Sequence, residues 1–306
     1  MNRNIKSHLA LLVVTLIFGM HYMIAKNLMP VPFQPMQLLF MRSFGAVILF
    51  WIFQMWFIRE KIARRDMILF ALCGFFGFAA NQALFYEGLN LTTPVDASVI
   101  HVTNPIFVLI FAGILIHEKV TVIKIVGIAL GAGGASILIM YGRLVNMGTN
   151  SFKGDILVML NMLSYAMHLV LIKPMTGKYH TMTILKWVSF FGFLFMLPFT
   201  IRGVIGLHLQ ALKLNEWLGV GYVVVLNTFL AYLLINFALK TLEASMVSFY
   251  TYLQPVVASV MSVSLGVEVI TIPKIIAASL IFGGVFLVSR AKQNNSLMTK
   301  ANAGKE

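Results

Sequence analysis

Charged residues are scarce in this sequence, and acidic residues are the scarcest of them. Of its 306 residues 11% are charged, and only ten are aspartate or glutamate, whereas about 25% charged residues is usual for a soluble domain. Hydrophobic residues make up 59% of the chain. This composition excludes an ordinary soluble domain and indicates an integral membrane protein.

Cysteine and long polar segments are also lacking. The single cysteine, Cys73, cannot form an intrachain disulfide, and we predict a packing role for it rather than a reactive thiol. The longest internal segment between apolar runs is about 202–216, so no soluble domain is predicted. Gly-x-Ser-x-Gly, His-Glu-x-x-His and acidic metal clusters are absent from the sequence. We therefore predict no enzymatic activity, no metal site and no cofactor.

Long apolar runs are what the chain has instead. A bilayer core of about 30 Å requires about 20 apolar residues per helix. The sequence predicts an all-α integral membrane protein with ten transmembrane helices, near 8–25, 36–57, 67–86, 95–115, 122–140, 154–172, 183–201, 217–238, 245–266 and 273–289.

The positive charge is spread over short loops. A net charge of +13 would suggest a nucleic-acid partner in a soluble protein, but no basic tract is present here, and we predict none. If the N-terminus is cytoplasmic, inside segments carry 16 Lys and Arg residues, outside segments carry six, and Arg42 lies within a helix. The positive-inside rule then predicts a multi-pass protein of a bacterial inner (plasma) membrane with both termini in the cytoplasm.

The two halves of the chain share a pattern of polar and special residues. At an offset of 150 positions, the matched pairs are Pro105 with Pro255, Glu118 with Glu268, Lys124 with Lys274, and Gly133-Gly134 with Gly283-Gly284. At an offset of 147, they are Met20 with Met167, His21 with His168, and Lys26 with Lys173. Matches of this kind are much less expected by chance than matches of apolar residues, so they indicate an internal repeat.

The repeat divides the chain into two five-helix units, 1–145 and 150–295, followed by a short cytoplasmic tail, 296–306. Because five is an odd number, the first helices of the two units cross the membrane in opposite directions. Such inverted repeats are frequent in secondary transporters, where the substrate binds near the midplane between the halves. The pattern therefore predicts a transporter.

Two prolines interrupt apolar runs beside polar residues. Pro105 follows Asn104 and lies four residues after His101, and Pro255 follows Gln254. Proline in a helix frees the carbonyl four residues earlier, which is tolerated where the backbone is buried in protein or lines a wet cavity. We predict helix kinks at both prolines around a substrate cavity. The alternative is that the kinks serve packing and the amides join neighbouring helices.

The sixth apolar run carries a polar stripe. Asn161, Ser164, Tyr165 and His168 lie on one helix face, which must face the bundle interior or water. The stripe either lines the cavity or forms an interhelical hydrogen-bond seam. The full predicted cavity lining is His101, Asn104, Asn161, Tyr165, His168, Tyr252, Gln254, Asn81, Gln82 and Asn227.

Arg42 is the strong charge within an apolar run. Near the outer end of its helix, the side chain either extends to the lipid headgroups or points inward to orient a substrate carboxylate. The sequence leaves both roles open. His21 and His168 could carry protons, although hydrogen bonding is the commoner role of a membrane histidine.

Several stretches carry a family resemblance. "LIFGMHYMIAK", "PMQLLFMRSFGAVILF" and "ASVIHVTNPIFVLIFAGILIHEKVTVIKIVGIALGAGGASIL" resemble helices 1, 2 and 4–5 of EamA-type transporters in the drug/metabolite transporter superfamily, and "ASMVSFYTYLQPVVASVMSVSLGVEVITIPKIIAASLIFGG" repeats the last pattern. One departure is Phe18 before Gly19, where many members have tryptophan.

The resemblance implies two inverted five-helix repeats, a central cavity and alternating access. It also implies export of amino acids or related small metabolites, with the small-molecule substrate and the lipid bilayer as partners. Assembly of the protein into a homodimer is an open alternative. The rival classes are an intramembrane enzyme, and a receptor or scaffold that does not transport.

Overall fold

The computed structural model describes residues 3–57, 60–92, 94–145, 152–204, 210, 212–254, 256, 257, 260, 271–273, 275–284, 286 and 287. Over these ranges the secondary structure is helical, and they contain no strand. Pro255 and Glu268, which the sequence pairs with Pro105 and Glu118, lie outside the described residues.

The helices are numbered in chain order. They are α1 (Arg3–Asn27), α2 (Pro35–Phe57), α3 (Arg64–Leu91), α4 (Pro94–His101), α5 (Asn104–Leu115), α6 (Val122–Val145), α7 (Phe152–Lys178), α8 (Thr181–Val204), α9 (Leu214–Leu239), α10 (Ala244–Phe249), continued by a 3₁₀ turn (Tyr250–Leu253), and α11 (Ile275–Gly284). Among the described residues, α1, α2, α3, α7, α8 and α9 are long and apolar enough to cross a membrane. Shorter apolar helices accompany them in α5, α6 and α11.

The outward faces are apolar. Exposed side chains include Leu16 (52%), Ile68 (68%), Ile110 (50%) and Phe199 (76%). The interior holds polar residues beside apolar ones, among them Asn81, Asn104, Asn161 and Asn236. Extended apolar surfaces are unfavourable in water, whereas lipid covers them at no such cost. The surface therefore supports the membrane assignment made from composition.

The fourth apolar run is interrupted. The sequence predicts a helix over 95–115, but α4 ends at His101 and α5 begins at Asn104. The hydroxyl of Thr103 donates to the carbonyl of Ile100 at 2.6 Å, so this carbonyl at the break has a local hydrogen-bond partner. Pro105 falls in the first turn of α5, where its missing N–H removes no helical hydrogen bond. The proline thus begins a new helix segment rather than bending a continuous one.

Two π-helical segments lie within long helices. Phe75–Ala80 forms one inside α3, and Tyr222–Leu230 forms the other inside α9. A π-helical turn changes the usual i→i−4 pairing and leaves carbonyls available to other donors. In α3 the carbonyls of Cys73, Phe76 and Gly77 accept side-chain hydrogen bonds from other helices.

Lysines join helix ends at two places. Lys26 Nζ donates to the carbonyls of Leu89 (2.8 Å), Asn90 (3.0 Å) and Thr92 (3.0 Å), where α3 ends. A C-terminal helix end carries unpaired carbonyls and partial negative charge, which a lysine satisfies.

The second lysine makes the corresponding contact at the end of α9. Lys173 Nζ donates to the carbonyls of Leu239 and Leu242, the latter at 2.6 Å. Each lysine therefore ties its own helix, α1 or α7, to the end of a different helix.

Close helix contact depends on glycine where α3 crosses α8. A Cβ atom added at Gly74 would lie 2.8 Å from the backbone N of Gly192 and 2.8 Å from the carbonyl of Val188. These are backbone atoms, so relief would require the helices to move apart. We therefore expect Gly74→Ala to lower the free energy of unfolding by about 1–3 kcal/mol, measured by thermal and denaturant unfolding in detergent.

Gly177→Ala is the matched control, because Gly177 is helical and has no atom within 4 Å of an added Cβ. Alanine favours helix over glycine by about 1 kcal/mol, so this variant should unfold like the wild type or later. Equal destabilisation by both substitutions would contradict the packing at this crossing.

Candidate substrate cavity

A cavity of about 490 Å³ opens between the helices near the middle of the bundle. Its lining comes from α1, α2, α3, α4, α7, α9 and the 3₁₀ turn, and it combines aromatic rings, amides, two histidines and one arginine. No acidic residue is among the lining residues that the structure describes. The lining is Phe18, His21, Tyr22, Arg42, Asn81, Gln82, Phe85, His101, Asn161, Met162, Tyr165, Asn227, Tyr232, Thr251 and Gln254.

His101 is the centre of a hydrogen-bond chain across one wall. Its Nδ1 is hydrogen-bonded to the Tyr22 hydroxyl, and its Nε2 lies 3.1 Å from Asn161 Oδ1. The Tyr22 hydroxyl also lies 2.9 Å from Gln254 Oε1. The chain links α1, α4, α7 and the residue that follows the 3₁₀ turn.

Hydrogen counting restricts the protonation of this chain. Asn161 Oδ1 is an acceptor, so His101 Nε2 carries a hydrogen. A neutral His101 then accepts the Tyr22 hydrogen at Nδ1, and the Gln254 amide must present its NH₂ group to Tyr22. A protonated His101 instead donates to Tyr22, which passes its own hydrogen to Gln254 Oε1. The chain accommodates either state by turning one hydroxyl and one amide.

Paired amides fasten α3 to α7 beside the cavity. Asn81 Nδ2 donates to the carbonyl of Asn161 at 3.1 Å, and Asn161 Nδ2 donates to the carbonyl of Asn81 at 2.8 Å. Further along the crossing, Ser164 Oγ donates to Phe76 O at 2.7 Å, and His168 Nδ1 donates to Cys73 O at 3.0 Å. The polar stripe of α7 is therefore an interhelical seam over much of its length.

Gln82 extends the polar wall towards α9. Its Nε2 lies 2.5 Å from Asn81 Oδ1 and 3.0 Å from the Tyr232 hydroxyl, which in turn donates to Gly77 O at 3.2 Å. Both π-helical segments lie next to this wall, since Gly77 belongs to one and Tyr232 follows the other. Such segments are frequent at functional sites.

Arg42 points into the bundle. Its side chain is 2% exposed, and Nη1 donates to the Tyr86 hydroxyl at 3.3 Å. The guanidinium carbon lies 5.9 Å from the centre of the Tyr86 ring and 6.0 Å from that of Tyr232. The structure thus places Arg42 at the cavity.

Most of the predicted site residues line this cavity together. They are His101, Asn161, Tyr165, Gln254, Asn81, Gln82, Asn227 and Arg42. Helical periodicity gave the face on which each lies, and the packing of neighbouring helices turned that face inward.

Three of the predicted lining residues lie outside the lining. Asn104 Nδ2 approaches Thr251 Oγ1 at 3.4 Å, His168 belongs to the α3–α7 seam, and Tyr252 packs edge-on against Phe249 with ring centres 4.9 Å apart. All three are buried between helices. Their positions match the packing role that the sequence left open for such residues.

Sequence reasoning missed much of the α1 contribution. Phe18 and Tyr22 line the cavity, and His21, considered only as a proton carrier, lines it with them. Phe18 lies about one helical turn before the adjacent residues His21 and Tyr22, so the three share one side of the helix. That spacing is a signal that could have identified them, although aromatic residues on an apolar helix are more often packing residues.

Comparison with known proteins gives the chain its relatives. The model of the EamA-like transporter family matches twice, over residues 5–140 and 152–290. "Uncharacterized transporter YyaM" of Bacillus subtilis (strain 168) is 24% identical over 76% of this chain and 76% of its own length. The "Probable terminal-alkyne amino-acid exporter" of Streptantibioticus cattleyicolor is 24% identical over 74% of each chain.

A crystal structure with 15% sequence identity superposes with a TM-score of 0.73, covering 95% of this chain and 98% of the other. At this identity the match shows the fold alone. The helical arrangement described above is therefore one that a solved structure shares.

The Tyr22 hydroxyl provides a test of the hydrogen-bond chain. Tyr22→Phe would leave the His101 ring and the Gln254 amide without their shared partner, and burying unpaired groups costs about 1–3 kcal/mol. We expect a lower unfolding temperature in detergent. Tyr252→Phe is the matched control, because the buried Tyr252 hydroxyl has no hydrogen-bond partner among the residues that the structure describes. Tyr252→Phe should leave the unfolding temperature unchanged or raise it. A lower unfolding temperature for Tyr252→Phe than for Tyr22→Phe would refute the hydrogen-bond chain around His101.

Proposed function

Because the chain belongs to the EamA-like transporter family, we propose that it is a secondary transporter that moves a small metabolite by alternating access, exporting amino acids or related solutes. Transport, not catalysis, is the activity for which the family and its curated relatives are named. The observation that carries the proposal for this chain is the buried, amide- and aromatic-lined cavity at the meeting point of its long helices.

Two inverted repeats of five helices each, 1–145 and 150–295, are the proposed frame for this mechanism. The double family match over 5–140 and 152–290 supports the division. The π-helical segments support it too, because the α3 segment, shifted by 150 positions, falls within the α9 segment. Gln82 and Tyr232, which are equivalent at the same offset, hydrogen-bond each other across the cavity.

The two lysine contacts add to this support. Lys26 and Lys173 correspond in the repeat, and their acceptors Leu89 and Leu239 correspond as well. With both termini in the cytoplasm and ten crossings, as the charge bias favours, Lys26 lies at the outer end and Lys173 at the inner end. Each then holds one end of the bundle together. Because the repeats are inverted, the state closed at the outer end and the state closed at the inner end are similar in energy, as alternating access requires.

The cavity lining favours a small amphipathic solute. The described lining combines aromatic rings with amide side chains, and small-molecule sites are usually lined in this way, by apolar and aromatic side chains with a few placed polar groups. Aromatic rings supply apolar contacts, and the amides of Asn81, Gln82 and Asn227 supply orientation. The name of the Streptantibioticus relative is compatible with an amino acid or a similar metabolite as substrate.

Efflux from proteoliposomes tests the proposal directly. Vesicles containing the purified protein would be loaded with a mixture of amino acids and related metabolites, and the external solution followed by mass spectrometry. We expect selective, saturable release of a subset of solutes. Asn227→Leu is the matched variant: its amide oxygen has no hydrogen-bond partner to lose among the described residues, and leucine replaces the amide by an apolar side chain at the cavity. It should fold and lose efflux.

Release of no solute by well-folded wild-type protein would contradict transport. A metabolite profile of cells with and without the gene gives the direction. Accumulation inside the cells that lack the gene supports export, whereas selective depletion of a solute from the medium by cells that carry the gene shows import.

The two lysines test the alternating-access frame. Lys26→Met should loosen the outer end and Lys173→Met the inner end, so the two variants should shift accessibility in opposite directions. The reporter is a cysteine at Asn227 in a Cys73→Ala background, labelled with a membrane-impermeant maleimide in right-side-out and inside-out vesicles. A shift of about 1.4 kcal/mol changes the ratio of the two states tenfold. Shifts of the same sign in both variants would refute the frame.

A further inference from the structure

Arg42 is a buried cation with an incomplete set of partners. Its Nε is buried and has no hydrogen-bond partner among the described residues, and its hydrogen bond to the Tyr86 hydroxyl is long, at 3.3 Å. In the part of the chain that the structure describes, no carboxylate pairs with it. Burying an uncompensated charge is costly. A cation in this position is therefore suited to bind an anion that the described residues do not supply.

The groups around Arg42 leave room for that anion at the cavity. Tyr86 and Tyr232 flank the guanidinium with their rings. His21 reaches the Tyr86 hydroxyl with Nε2 at 3.4 Å, and its buried Nδ1 has no partner among the described residues. All of these residues except Tyr86 line the cavity, and Tyr86 contacts two of them. Arg42 thus lines the cavity, and among the described residues only its Nη1 has a hydrogen-bond partner.

The charge balance of the cavity selects the class of anion. One guanidinium faces no acidic residue among the described lining residues, so one carboxylate beside it completes a neutral ion pair, with or without an ammonium group elsewhere on the solute. A second carboxylate or a doubly charged phosphate would bring an excess charge into an environment of low dielectric constant. The planar donor fork of arginine matches the two oxygens of one carboxylate. A monocarboxylate with an apolar or aromatic body fits both the charge and the lining.

From these contacts we infer that Arg42, Tyr86 and His21 form a subsite for the single carboxylate of the transported solute. The inference rests on the proposed function and narrows its substrate to small monocarboxylates, including amino acids. Asn227 lines the cavity, and its buried Oδ1 has no partner among the described residues, so it is the candidate acceptor for the ammonium group of an amino acid. The subsite is therefore defined by the carboxylate, and the ammonium contact is a separate one.

Matched probes separate the two contacts. For bodies the size of alanine, leucine and phenylalanine, the probes are the amino acid, its amide, which lacks the carboxylate, and the des-amino acid, which lacks the ammonium. Binding to purified protein in detergent is measured by calorimetry. At least one amino acid or des-amino acid should bind about tenfold or more tightly than the matching amide, since hydrogen bonds to charged groups are the strong ones. Equal or tighter binding of all amides, or no binding by any carboxylate, would overturn the subsite.

Substitutions at Arg42 locate the effect. Arg42→Gln should raise the Kd of the carboxylate probes about tenfold or more and leave the Kd of the amides unchanged, and Arg42→Lys should fall between it and the wild type. Arg64→Gln is the control, because Arg64 is an exposed arginine at the start of α3, and it should bind as the wild type does. An equal loss in both Gln variants would contradict the assignment to Arg42.

Unfolding without ligand distinguishes a ligand contact from a structural one. Because Arg42 has no ion pair to lose among the described residues, Arg42→Gln should unfold at the same temperature as the wild type or higher. A marked decrease, with unchanged preference for carboxylates over amides, would make Arg42 structural and overturn the inference. Equal efflux of solutes with and without a carboxylate would refute the subsite and leave transport intact. Carboxylate binding without any efflux would refute transport and leave the subsite intact.

Discussion

A polar group buried away from water costs several kcal/mol unless the protein supplies its partner, and this constraint organises the whole bundle. The helices satisfy their own backbones, and where they end or change pitch the side chains of other helices take over. Lys26 and Lys173 bond the terminal carbonyls of α3 and α9. His168 and Ser164 bond carbonyls at the π-helical segment of α3. These bonds hold the helices in the arrangement that leaves a cavity between them.

The same constraint separates scaffold from candidate ligand contacts. Asn81 and Asn161 satisfy each other's carbonyls, so their amides chiefly hold α3 against α7. Arg42 Nε, His21 Nδ1 and Asn227 Oδ1 are buried and have no hydrogen-bond partner in the part of the chain that the structure describes, and all three residues line the cavity. A bound solute is the natural partner for such groups. The cavity therefore has a fixed polar wall and a smaller set of groups available for recognition.

The membrane class, the helical content and the family were predictable from sequence because each depends on signals that extend over many residues. Composition, apolar runs and repeated motifs remain recognisable when single residues depart from the pattern. A kink was predicted at Pro105, but the end of α4 at His101 and the start of a separate helix at Asn104 were not, since the apolar run continues through Val102 and Thr103. The π-helical segment of α3 has no comparable sequence signal, because its Phe76 and Gly77 carbonyls accept hydrogen bonds from side chains in distant parts of the chain.

The candidate site was predictable in part for a related reason. Periodicity gives the face of a helix, but one face is wide enough to touch both a neighbouring helix and the cavity. Tyr165 and His168 share such a face in α7, yet Tyr165 lines the cavity and His168 fills the space beside Gly77. Arg42 could be assigned to the interior only when the rings of Tyr86 and Tyr232 were found around it.

Cysteine labelling across the predicted lining tests most directly whether the cavity is the water-filled route of the solute. Single cysteines would replace Phe85 and Thr251, which line the cavity, and Asn104 and Tyr252, which are buried between helices, in a Cys73→Ala background. A small water-soluble maleimide should modify the first two positions and spare the second two, with a competing transported solute slowing the reaction at Phe85 and Thr251. Modification of Asn104 and Tyr252 in preference to the other two would place the route elsewhere and contradict the account.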